Sequence, residues 1–111
     1  MQALAGALRT VDEASLRALL HPDVILIIDS GGALPSASSP IEGDTAAASA
    51  LAALLTPDTS ISLAAINGAP GLIFTRGDVV VTAVTAEMTS TGLSSVWVVC
   101  NPTKLEHWNR R

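Results

Sequence analysis

From Ile61 to Cys100 the chain alternates β-branched apolar runs with short segments of turn residues, and this pattern constrains the fold more than any other feature. The runs Ile61 to Ile66, Leu72 to Arg76, Val79 to Met88 and Leu93 to Cys100 read as strands. Between them lie Asn67-Gly68-Ala69-Pro70-Gly71, Gly77-Asp78 and Ser90-Thr91-Gly92. A crossover to a parallel neighbour needs roughly a dozen residues or more, so connections this short permit only hairpins. The stretch therefore predicts an antiparallel meander.

Upstream the periodicity changes. Residues 3 to 9 suit a short helix, and Thr10 with Glu13 forms a capping box that predicts a second one. Ala14, Leu16, Leu19 and Leu20 give that helix an apolar stripe, and His21-Pro22 ends it because proline excludes its predecessor from helical geometry. Asp23 to Asp29 (DVILIID) is apolar at successive positions and reads as a strand buried on both faces. Asp29-Ser30-Gly31-Gly32 turns the chain, and Ala33 to Ser39, with Pro35, suits only an edge strand or loop. Gly43 to Leu55 has strong helix propensity, its many alanines allow close approach to a sheet, and Thr56-Pro57 closes it. After the last strand, Asn101-Pro102 opens a helical turn with Leu105 and Trp108 on one side. The element order predicts one α+β domain spanning residues 1–111, with helices packed on one face of a curved antiparallel sheet.

Composition narrows the function. Hydrophobic residues make up 49% of the chain and charged residues 14%, which is enough apolar surface to offset chain entropy. A formal net charge of −4 lacks the positive field that nucleic-acid backbones require, so direct nucleic-acid binding is not expected. Cys100 is the only cysteine and there are only two histidines, so neither a disulfide nor a zinc or iron site has a supply of ligands. We expect no metal and no cofactor. No apolar run reaches membrane-spanning length, Leu4-Ala5-Gly6-Ala7-Leu8 is too short for a secretory leader, and the cytoplasm is the expected compartment.

Several stretches together resemble the SnoaL-like domains of the nuclear-transport-factor-2-like superfamily, and within it the C-terminal extension of extracytoplasmic-function sigma factors. Leu16-Arg17-Ala18-Leu19-Leu20-His21-Pro22-Asp23-Val24 looks like the family's second helix and first strand. Asp29-Ser30-Gly31-Gly32 resembles its Asp-Gly-Gly-Gly-Lys turn, with Ser30 and Ala33 replacing a glycine and the lysine. Asn67 to Gly71 is similar to the loop before its meander. Val96-Trp97-Val98-Val99 followed by Asn101-Pro102-Thr103-Lys104-Leu105 resembles its closing strand and Asn-Pro-Asp-Lys-Leu motif, with Thr103 in place of the aspartate.

The resemblance implies a cone-shaped sheet around an apolar hollow, and a regulatory domain that modulates transcription by contact with sigma-factor core domains or RNA polymerase. The sigma domains themselves are absent, so the chain is either an excised domain or a free-standing relative. Its contact surface would comprise Asp29, Gly31, Gly32, Asn101, Pro102, Lys104 and Leu105. A small apolar ligand and a homodimer formed across an exposed sheet face are also implied. The rival is a SnoaL-like cyclase, isomerase or hydrolase acting on a hydrophobic molecule. Such enzymes need a desolvated carboxylate or a His-Asp pair. Glu87 and Asp29 are the candidates here. Glu87 is either the polar end of an inward row with Val79, Val81, Ala83 and Thr85, or exposed where its strand frays, and Asp29 is otherwise a turn former. His21 suits capping rather than catalysis, and His107 lies beside Trp108 near the terminus. Phe74 and Trp97 are the candidate pocket aromatics, with core packing as the plainer reading, and Cys100 reads as a buried thiol.

Overall fold

Hydrophobic periodicity and turn chemistry become a layered α+β structure in the computed structural model, which describes residues 1–10, 12–29 and 40–109. Helices α1 (Gln2–Thr10) and α2 (Glu13–Leu19) come first, then β1 (Leu20–Asp29) and the two-residue β2 (Ile41–Glu42), then α3 (Asp44–Ala53). Strands β3 (Thr59–Ile66), β4 (Ala69–Arg76), β5 (Val79–Thr89) and β6 (Gly92–Val99) follow, and α4 (Glu106–Asn109) ends the described chain.

The strands form one open, curved six-stranded sheet in the order β2-β1-β6-β5-β4-β3. The meander is antiparallel throughout, as its short connections require. β1 instead joins β6 in parallel, from Ile25 opposite Ser95 to Asp29 opposite Val99. That pairing obeys the same length rule, because α3 and four strands intervene. Curvature comes from extra residues in single strands, which bend and twist a ladder. Val81 is one, where Phe74 pairs with Thr82 but Thr75 with Val80. Ser94 is another, where Glu87 pairs with Ser95 but Met88 with Leu93.

One face of the sheet is covered by helices. Leu26, Leu72, Phe74, Val84, Val96 and Val98 are fully buried there against Leu4, Leu8, Leu16 and Leu51. Ala47 and Ala48 let α3 lie close, as its composition predicts. The opposite face carries a smaller cluster, in which Val80 and Ala83 meet Leu105 and the partly buried Ile66, Ile73, Val99 and Trp108.

Three local expectations change. Thr10 does not cap α2: it remains in α1 and donates its hydroxyl to the Ala7 carbonyl at 2.9 Å. Asp12 is the cap, its carboxylate accepting from the Ala14 N–H at 3.0 Å and the Ser15 hydroxyl at 2.9 Å. An ionised carboxylate is a stronger acceptor than a hydroxyl and complements the helix N-terminus. Secondly, His21-Pro22 belongs to β1 rather than closing α2, and the proline falls where the β1–β6 register is interrupted and no ladder donor is needed. Thirdly, β1 is buried on only one face: Val24 and Leu26 are inaccessible, whereas Ile27 is 40% exposed. The turn at Ser30-Gly31-Gly32 and the segment Ala33 to Ser39 lie outside the described residues.

Candidate functional site

The chain after β6 is held against the sheet at several points. Asn101 Oδ1 accepts from the Thr103 N–H at 3.1 Å, an Asx turn, and the Leu105 N–H reaches the Asn101 and Pro102 carbonyls at 3.2 Å each. This turn drives Leu105 into the cluster with Val80 and Ala83. One turn later the Asn109 carboxamide copies a strand partner, accepting from the Val80 N–H at 2.7 Å and donating to the Val80 carbonyl at 3.0 Å. Lys104 Nζ makes an ion pair with Asp29 Oδ2 at the end of β1, with side chains 61% and 31% exposed. The ion pair thus brings together two stretches distant in sequence, Asp29 and the turn Asn101 to Leu105, with Leu105 itself buried. Of the proposed contact residues, Gly31 and Gly32 lie outside the described residues.

Two cavities flank this tail. The larger, of about 440 Å³, opens between the end of α3, the β4–β5 hairpin and the tail, and its walls include Arg76, Val79, Val81, Thr82, Cys100 and Pro102. The other, of about 350 Å³, lies under Lys104, His107 and Trp108 against Ile66, Ala83 and Val99. The His107 and Trp108 rings meet at 5.0 Å.

Arg76 supplies the positive charge of the larger cavity. Its Nη2 donates to the Leu54 carbonyl at 3.1 Å, and its Nε lies 3.2 and 3.3 Å from the Thr56 and Thr59 hydroxyls. Asp58 is at 4.0 Å, and its carboxyl is held below the usual range, chiefly by the Thr56 hydroxyl and with Arg76 a lesser contributor. Thr82 is the buried polar side chain of the core, 5% exposed. Cys100 is partly buried, and burial followed by the charge of Asp29 pushes its thiol up, so the sulfur stays protonated and inert.

Other candidate residues are placed elsewhere. Phe74 is completely buried on the helix side and lines neither cavity. Trp97 is half-buried on the other face, in a row with Thr85 and Ile27, and lines neither cavity. The Val81 bulge also breaks the expected row below Glu87. Val80 joins Ala83, while Val81 packs toward the helices. Glu87 is exposed, opposite Ser95. It lies four positions along β5 from Ala83, whose row ends at Asp29 two strands away. That separates the two carboxylates by roughly 13 Å along the strand and ~10 Å across it, too far to share one reacting atom. His21 Nδ1 accepts from the Asp23 N–H at 2.9 Å, a local contact within β1 rather than a helix cap. No group of three or more potential metal ligands occurs among the described residues.

Neither Arg76, Thr82 nor Asn109 stands out as a site residue in the sequence. Gly77-Asp78 does imply that Arg76 faces Val79 across a tight hairpin, but no spacing joins residues 54, 76, 82 and 109.

No protein-family profile and no curated protein matches the sequence. Solved structures do match the fold. The Mycobacterium tuberculosis extracytoplasmic function sigma factor SigJ superposes with a TM-score of 0.71 at 22% identity, over 95% of this chain. The chain spans 42% of SigJ. A nuclear-transport-factor-2-like protein of unknown function from Burkholderia xenovorans has a TM-score of 0.64 at 12% identity, with 99% of this chain and 90% of that one covered. An LEH-like epoxide hydrolase of M. tuberculosis has a TM-score of 0.55 at 15% identity, covering 96% and 83%.

Proposed function

We propose that this chain, which has the nuclear-transport-factor-2-like fold, is a regulatory interaction domain that acts on transcription by contact with extracytoplasmic-function sigma domains or RNA polymerase. The observation that carries the reading is the superposition on SigJ over 95% of this chain. The surface assigned to that contact is the one built by Asp29, Asn101, Pro102, Lys104 and Leu105, with Gly31 and Gly32 as its continuation in sequence. Lys104 and Asp29 are both accessible enough to meet a partner, and Leu105 anchors the turn that presents them. The larger cavity beside this surface is where a small ligand would influence it. With such a partner the site of action is the cytoplasm, and no described helix is long and apolar enough to cross a membrane. Pairing of two copies through the sheet face that carries Ile27 and Trp97 completes the proposal.

A labelled chain titrated separately with sigma-factor core domains and with core RNA polymerase tests this by fluorescence anisotropy. Saturable binding to one of them is expected, weakened about tenfold or more by Lys104→Glu. Adding Asp29→Lys to that variant restores an internal ion pair of reversed polarity without restoring partner binding. Absence of binding to both proteins overturns the reading. The cyclase, isomerase or hydrolase alternative has a hydrolase among the neighbours in fold. Its candidate bases are an exposed Glu87 outside both cavities and an Asp29 already ion-paired with Lys104, so the geometry adds nothing in its favour.

A further inference from the structure

The larger cavity combines four features that together describe a ligand. Its volume of about 440 Å³ falls within the roughly 300–1,000 Å³ of small-molecule sites. Its walls are mainly apolar: Val79, Val81, Pro102 and Leu105 contribute hydrocarbon, and the Cys100 thiol stays neutral. Its charged wall residue is Arg76, whose side chain is 40% exposed and so stands toward the mouth. Only Nε and Nη2 of this guanidinium have hydrogen-bond acceptors among the described residues, which leaves Nη1 and its two N–H donors available. Asp58 does not neutralise it, because that carboxylate is 72% exposed and 4.0 Å away, a separation at which an exposed pair contributes little.

The fourth feature lies deeper. Thr82 is 5% exposed and lines the cavity, so its hydroxyl gives the deeper wall one polar point. Among the described residues no carboxylate lines this cavity to repel an anion.

We propose that the cavity binds an amphiphilic carboxylate of medium-chain acyl type, with its anionic head on the free edge of Arg76 at the mouth and its hydrocarbon directed inward. A planar carboxylate matches the guanidinium fork, and the partly desolvated mouth strengthens that contact relative to bulk water. Thr82 meets water or a polar substituent carried inward with the chain. This inference rests on the cavity being the ligand site of the proposed regulatory domain, and it adds the ligand's charge and shape.

Calorimetric titration of the full chain with decanoate and with decanol separates these two levels. Decanoate is expected to bind at least about tenfold more tightly than decanol, and its affinity to fall as ionic strength rises. Arg76→Gln should remove about tenfold of the decanoate affinity and leave decanol unchanged. Because Arg76 also ties down the Leu54 carbonyl, Val79→Glu serves as a second variant. Val79 is 52% exposed and pairs with Arg76 across the hairpin, so glutamate there engages the guanidinium without disturbing the core. It should reduce decanoate affinity by a similar factor. Equal binding of decanoate and decanol, insensitive to both substitutions, overturns the charge selection while leaving a ligand site. Binding of neither probe overturns the cavity as a ligand site and this inference with it. Neither result bears on the binding of sigma domains or polymerase.

Discussion

Single residues decide this structure where backbones approach one another. At Gly92 the backbone adopts φ 131°, and a Cβ there would sit 2.9 Å from the His21 nitrogen and 3.0 Å from the Leu19 oxygen. The start of β6 therefore packs directly on the junction between α2 and β1, and only a residue without a side chain fits. Gly92→Ala should destabilise the protein by about 3 kcal/mol, the combined cost of a disfavoured φ and of overpacking against main chain that cannot yield. Gly6 is the internal control, because it lies within α1 and a Cβ added there would meet nothing within 4 Å. Gly6→Ala should stabilise by roughly 0.5–1 kcal/mol through helix propensity. Urea unfolding of both variants beside the parent checks the pair, and a neutral Gly92→Ala would refute the packing argument. Residue-scale chemistry also separates the two acidic candidates: Asp29 has a cation at hand and Glu87 stands in solvent, so neither resembles a desolvated base.

At the scale of elements, caps and hairpins do most of the specification. Asn67 and Gly68, with φ of 52° and 81°, form a two-residue turn whose twist suits the β3–β4 hairpin, which lets β4 begin at Ala69 rather than after the expected longer loop. Asp12 caps α2, and its carboxyl is held below the ordinary value first by the Ser15 hydroxyl and then by the Ala14 N–H. A lowered folded-state pKa stabilises the native state above the unfolded carboxyl's pKa, and the contribution is lost as pH falls through the folded value. Asp12→Ala should therefore lower Tm near neutral pH, and the difference from the parent should vanish in acid. Asp12→Asn, which keeps a good N-cap without a titrating group, should retain most of the stability and lack that pH dependence. Thermal melts across this range distinguish the cap from a general charge effect. The tail is the third such element: its short helix persists because Leu105 is buried and Asn109 pairs with Val80, not through intrinsic propensity.

For the whole molecule, the two faces of the sheet are treated differently. Among the described residues three helices cover one, while the tail shields part of the other and leaves Ile27 40% exposed in a row with the half-buried Trp97. Under the proposed pairing of two copies, light scattering should give twice the chain mass, and Ile27→Asp should reduce it to one chain with the far-ultraviolet circular dichroism unchanged. A parent of single-chain mass would refute the pairing. The meander, the helical character of α1, α2 and α3, and the helix-side core were legible in the chain, because period and turn length are local quantities. Even the approach of Asp29 to the Asn101–Leu105 motif was expected, though only through resemblance. The parallel β1–β6 pair, the Val81 bulge and the cavity between Arg76, Thr82 and Asn109 were not legible. Alternation along a strand states that two faces exist, but the choice between faces passes through bulges, and one added residue reverses every assignment beyond it. The amino-acid order by itself determined which segments extend, coil and turn. Tertiary packing alone decided which faces meet and where space remains, because cavities arise from the mismatch of surfaces that only the assembled sheet and helices bring together.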